Sequence, residues 1–189
     1  LLYAMRDRIN SGIGVDESGG IIERARIKNA ENKHVSFQKI NGPVLPFPDN
    51  SFDAVTSLMS FRYLDWDPLL AEIKRVMRPG GKFLIIDMVT VPVAVSEYPR
   101  LLGDKLRTMK NQKANARFDA ALQKLVSHPD WKKMLEYNPI RSEHEMKWYL
   151  ESRFPGHKME ILNMAWHSRI VAFDSGPVEN GIDAKLTYP

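Results

Sequence analysis

Apolar positions along the first ninety residues follow two alternating rhythms, one of three and four residues and one of two. In "LLYAMRDRIN" the spacing of Leu1, Leu2, Met5 and Ile9 predicts a helix over residues 1–10, stopped by Asn10-Ser11-Gly12. "GIGVD" then reads as a short buried strand. Residues 20–30, "GIIERARIKNA", predict a charged amphipathic helix with Ile21, Ile22, Ala25 and Ile27 inward. "HVSFQKI" alternates through Val35 and Phe37 as a strand does. Past the turn-rich "NGPVLPFPDNS", the run "FDAVTSLMS" is expected as a third strand buried on both faces. Asp67 is expected to cap the next helix with Pro68 at its first position. That helix, "PLLAEIKRVM", places Leu69, Leu70, Ile73, Val76 and Met77 on one face and ends at "RPGG". "KFLIIDMV" is the fourth strand.

Strands alternating with helices imply parallel pairing through crossovers, hence an α/β, doubly wound, mostly parallel sheet. The second half changes character. Residues 96–140 read as a helical insertion in which Phe118, Ala121, Leu122 and Leu125 mark an amphipathic stripe. Ser142-x-x-Glu145 is a capping box for a helix toward Arg153. "HKMEILNMAWHSRIVAFD" gives two strands with a short connection, so the last is expected to run antiparallel. One domain is expected over residues 1–175, with 176–189 a loop-like tail rich in Gly and Pro.

Composition removes several classes of function. The 189 residues contain no cysteine, which excludes disulfides, thiolate metal sites and a thiol nucleophile, and fits a reducing, cytoplasmic setting. No apolar run reaches the roughly 18 residues of a membrane span, so a soluble protein without a membrane partner is expected. The formal charge of +4 is carried by residues 96–136, where nine Lys or Arg face five acids. Those charges are dispersed among apolar residues, which favours a solvated helix face over a nucleic-acid site.

In open parallel sheets ligands sit beyond the carboxyl ends of the strands. The residues there are Asp16 and Glu17, Ile40 to Gly42, Ser57 to Met59, and Asp87 to Thr90. An acid at such an end can accept both hydroxyls of a ribose, although Asp16 would equally suit the cap of the following helix. "FRYLDW" follows the third strand, so Arg62, Tyr63 and Trp66 stand near the same mouth. His128, in "SHPDW", lies in the insertion; His34 and His167 read as loop and turn residues. His144 opens "HEMKW", which fails the His-Glu-x-x-His metal pattern because Trp148 holds the last position.

"GIGVDESGGIIERAR", "VSFQKINGPVLPFPDNSFDAVTS" and "LLAEIKRVMRPGGKFLIID" together resemble successive motifs of the class I S-adenosylmethionine-dependent methyltransferases, in particular the small-molecule group related to quinone biosynthesis. The resemblance covers residues 1 to about 90. It implies a Rossmann-like sheet, S-adenosylmethionine as cofactor, and in-line methyl transfer to a small-molecule acceptor without a required metal. It further implies that Asp16 binds the ribose hydroxyls, that Glu17 lies along the adenine, and that Asn41 stands where the family carries an aspartate facing the adenine amino group. Gly42 would offer its amide to the ring, and Ser57, Leu58 and Met59 would border the methionine part. Arg62, Tyr63 and His128 are the candidates for a catalytic side chain. The insertion would serve as a cap, with Leu101, Leu106, Met109, Phe118 and Trp131 suited to an apolar acceptor.

The family's first strand and its glycine-rich loop would stand before Leu1 and are not in this sequence. The chain is therefore expected to be an N-terminally truncated fragment, with weak cofactor binding by itself and unpaired edges on the two strands that would flank the first one. Two other readings share parts of the pattern. An inactive methyltransferase-like interaction domain would explain the missing loop, and a nucleotide-dependent oxidoreductase would share the sheet. No tyrosine here has a lysine four residues on, which argues against the reductase dyad.

Overall fold

The computed structural model describes residues 1–92, 94–137, 141–164 and 168–179. Two compact units are formed, one by residues 1–53 and 64–78, the other by residues 54–63 and 79–189.

In the first unit, β1 (Gly12–Asp16) and β2 (Val35–Lys39) pair in parallel, Gly12 opposite Val35 and Asp16 opposite Lys39. Between them runs α2 (Gly19–Lys28), tied down by Arg26, whose Nε and Nη2 donate to the Phe37 carbonyl at 3.2 and 2.9 Å. The opening helix α1 is shorter than its periodicity predicts and spans only Leu2–Met5. So short a segment cannot repay helix nucleation, and the chain continues as turns. In α2 only Ile22 is buried; Ile21 and Ile27 are 54% and 69% exposed, contrary to expectation, because a lone two-stranded ribbon covers one narrow stripe of the helix.

α3 (Trp66–Val76) has Asp65, not Asp67, as its N-cap. Asp67 falls in the first turn, where its charge meets the positive end of the helix, and Pro68 takes a position whose amide would lack an intrahelical acceptor in any case. Leu70, Ile73 and Val76 are buried as expected. The polar side of α3 explains "VLPFPDN". Arg75 donates to the carbonyls of Phe47 (2.8 Å) and Leu45 (2.9 Å) and to Asp49 (2.8 Å), while Glu72 accepts from the Leu45 amide (2.8 Å) and from Arg75. This pairing holds the Glu72 carboxyl down at about 2.

In the second unit the sheet order is β3 (Phe52–Leu58), β4 (Met77–Val89), β6 (Arg169–Asp174), β5 (Glu160–Met164). β6 runs antiparallel to both its neighbours, as expected of the last strand. Along β4, Phe83, Ile85, Asp87 and Val89 are buried at period two. β3 carries no fully buried residue, and Leu58 is 45% exposed. The expectation of a strand buried on both faces fails because β3 is the edge of its sheet. Among the described residues β1 and β3 have one strand partner each.

The insertion holds one long helix, α4 (Tyr98–Val126), followed by α5 (Pro129–Tyr137). Leu101 is buried, and of the four positions of the expected inward stripe Ala121 and Leu125 are exposed. The side chains of Phe118 and Leu122, and His167 as a whole, lie outside the described residues. α6 (Glu143–Arg153) is capped by Ser142, whose Oγ accepts from the Glu145 amide at 3.1 Å; the Glu145 carboxylate turns instead to Arg141. Arg169 on β6 fastens both helical segments, donating to Glu97 just before α4 (2.7 and 2.8 Å) and to Glu143 on α6 (2.5 Å). The stretch after Asp174 is not loose at its start. Ser175 Oγ accepts from the Phe83 amide (2.9 Å), and Val178 exchanges backbone hydrogen bonds with Gly80 and Gly81.

Candidate active site

The geometry of the first unit starts from the glycines of "GIGVD". A Cβ on Gly14 would lie 2.7 Å from the ring of Phe37, its cross-strand partner, and one on Gly12 would lie 3.0 Å from Ile9 and Leu2. These glycines admit neighbouring side chains to the strand. They deliver Asp16 to the carboxyl end of β1, where its Oδ1 accepts from the Ser18 amide at 2.8 Å. The α2 cap is Ser18, whose Oγ accepts from the Ile21 amide. Asp16 is thus not the helix cap that its position also allowed, and its Oδ2 has no partner among the described contacts.

The next side chain, Glu17, crosses to the loop after β2 and accepts from the Gly42 amide at 3.0 Å. Gly42 has φ +73°, a conformation that favours glycine, and Asn41 beside it is exposed. Asp16, Glu17, Asn41 and Gly42 therefore meet at one end of the β1–β2 ribbon. A free carboxylate oxygen there suits a vicinal diol, and an exposed carboxamide suits an amino group. The set fits the nucleoside part of S-adenosylmethionine, with the difference that the Gly42 amide is already engaged by Glu17.

The second unit places Ser57, Leu58 and Met59 at the carboxyl end of β3. Met59 has φ +57°, a strained turn for a side chain of its size, fixed by its amide donating to the Ile86 carbonyl at 2.8 Å. The chain then winds through a 3₁₀ turn, Phe61–Tyr63. Arg62, a catalytic candidate from sequence, has a side chain 3% exposed and bound through Nη1 to Oδ1 of Asp87, itself fully buried at the end of β4. Asp87 also accepts from the Arg62 amide (3.0 Å) and the Met88 amide (2.7 Å). Tyr63 stays half-exposed, with its hydroxyl accepting from Arg62 Nη2 at 2.6 Å.

Trp66 is buried at the start of α3 and serves packing. His128 is exposed at the α4–α5 junction, its Nδ1 accepting from the Asp130 amide at 3.2 Å. Asp87 is the residue whose role sequence reading missed. A signal existed, since a carboxylate inside the apolar run "FLIID" demands a buried partner.

In the first unit the parallel β1–β2 pair ends in Asp16 and leads to the Gly42 turn, and in the second unit β6 runs antiparallel between β4 and β5. Residues 1–85 match the family model described as a methyltransferase domain. The demethylmenaquinone methyltransferase of Thermus thermophilus is 35% identical over 82 residues, covering 42% of this chain and 37% of that protein. The ubiquinone/menaquinone biosynthesis C-methyltransferase of Hahella chejuensis is 40% identical over 68 residues, covering 34% and 27%. The matched segments thus span about a third of the length of these relatives. Among solved structures, an S-adenosylmethionine-dependent methyltransferase from Aquifex aeolicus superposes with a TM-score of 0.56 at 17% identity, over 92% of this chain and 74% of that one. Geranyl diphosphate C-methyltransferase from Streptomyces coelicolor, in complex with Mg2+, geranyl diphosphate and S-adenosylhomocysteine, gives 0.59 at 16% identity, over 94% and 66%. These likenesses bear out the fold and the family resemblance read from the motifs.

Proposed function

We propose that the protein transfers a methyl group from S-adenosylmethionine to a small-molecule acceptor of quinol type, residues 1–175 acting as one domain in the cytoplasm. The observation that carries this reading is the unengaged Oδ2 of Asp16 at the end of β1, flanked by Asn41 and Gly42. S-adenosylmethionine supplies an already activated electrophilic methyl, so the protein's task is alignment and exclusion of water. Asp16 holds the ribose hydroxyls, Asn41 accepts from the adenine amino group, and the methylenes of Glu17 lie along the ring. Ser57, Leu58 and Met59 border the methionine part at the strained end of β3. The acceptor class is supported by the names of the relatives, which act on menaquinone and ubiquinone precursors.

The test is transfer of label from S-adenosyl-[methyl-3H]methionine to reduced 1,4-naphthoquinone by the full-length protein. Label in an extractable naphthalene product is the expected result. Label absent from quinol and phenol acceptors alike refutes the reading.

A further inference from the structure

Three groups from different parts of the second unit converge at the carboxyl ends of β3 and β4. Asp87 is fully buried and takes three hydrogen bonds, from the Arg62 guanidinium, the Arg62 amide and the Met88 amide. Arg62, held by that carboxylate at its backbone amide and at Nη1, points Nη2 at the Tyr63 hydroxyl 2.6 Å away, and its guanidinium carbon stands 4.3 Å from the Tyr63 ring centre. The Tyr63 oxygen therefore spends its acceptor capacity on a fixed cation. Its own hydrogen has no acceptor among the described contacts. A phenol in this state is a polarised donor with one direction left, and this one is half-exposed beyond the strand ends, where ligands of such sheets lie.

We propose that Tyr63 is an oxyanion-binding residue, a hydrogen-bond donor to a phenolate or enolate oxygen of the methyl acceptor, and that the buried Arg62–Asp87 pair is the device that positions it. The chemistry follows from what a weak carbon nucleophile needs. A ring carbon becomes nucleophilic when the oxygen conjugated with it carries negative charge, and a fixed donor at that oxygen raises the share of anion present at a given pH. Arg62 could not do the same work, because its side chain is closed off from solvent and its charge is answered by Asp87. The donor selects acceptors that bear an ionisable ring or enol hydroxyl next to the methylated atom. An amine or a thiol acceptor would gain nothing from it.

This inference deepens the proposed function but is tested apart from it. The probe is 1-naphthol, titrated with pH in the presence of saturating full-length protein, with ionisation read from naphtholate absorbance. The wild-type protein is expected to lower the apparent pKa of bound naphthol by about one unit, a tenfold shift toward the anion, and Tyr63→Phe is expected to abolish that shift while near-ultraviolet circular dichroism stays native. An equal shift in both proteins, or a wild-type protein that neither binds nor shifts the probe, overturns the proposal. A Tyr63-dependent shift without label transfer in the methylation assay would keep the anion site and discard the methyl-transfer reading.

Discussion

Gly14→Ala separates two roles that a glycine-rich stretch can play. The new Cβ would stand 2.7 and 2.9 Å from Cδ1 and Cε1 of Phe37 and 3.3 Å from Leu2. Ordinary carbon contacts begin near 3.5 Å, so the ring must retreat by roughly 0.7 Å. Phe37 lies directly opposite Gly14 in the parallel register, and its carbonyl is pinned by Arg26, so the ring cannot retreat by sliding its strand. Overpacking of this kind costs about 1–3 kcal/mol. Denaturant unfolding of Gly14→Ala should show a loss in that range at unchanged m-value, and Phe37→Leu in the same chain should recover most of it. Gly19→Ala is the counterpart: its Cβ meets nothing closer than Lys39 Cδ at 4.0 Å, and it sits in the first turn of α2, so stability should stay level or rise by about 0.5 kcal/mol. Unchanged stability in Gly14→Ala together with lost ligand binding would refute the packing role and restore the reading of a loop that cradles a ligand.

Other consequences follow from particular contacts. Glu72 titrates near 4.5 when unfolded and at about 2 when folded, so its contribution to stability is complete above pH 4.5 and fades as pH falls toward 2. Glu72→Gln should flatten the acid side of a stability-versus-pH curve in that window, and a curve of unchanged steepness would remove Glu72 from the account. Gly42→Ala puts a Cβ into open space at φ +73°, so its cost is conformational alone, about 1 kcal/mol by thermal unfolding. Arg169→Met leaves Glu97 and Glu143 without their shared cation, and limited proteolysis should then cut within α4 sooner than in the wild type.

The sheet was legible because its strands are apolar runs and because "LPFPDNS" separates β2 from β3, whereas "RPGG", expected to end the helix as a turn, lies inside β4. What failed were features decided by distant partners. Asp67 before Pro68 reads as the cap from sequence, but the helix begins earlier, at Trp66, with Asp65 as its N-cap. Arg62 next to a strand end reads as a substrate contact until Asp87, 25 residues on, is seen to hold it. Burial of β3 was overestimated because an apolar run does not say which strands flank it, and here β3 is an edge.

In the proposed function Asp16 is the acid that holds the ribose hydroxyls of the cofactor. Calorimetry of S-adenosylhomocysteine with the full-length protein tests this directly, with Asp16→Ala as the variant. Wild-type binding that weakens by roughly ten- to a hundredfold in Asp16→Ala, the loss of about 1.5–3 kcal/mol expected when hydrogen bonds to a charged group disappear, is the predicted result. Equal affinity in the two proteins, or no binding by the wild type, would contradict it.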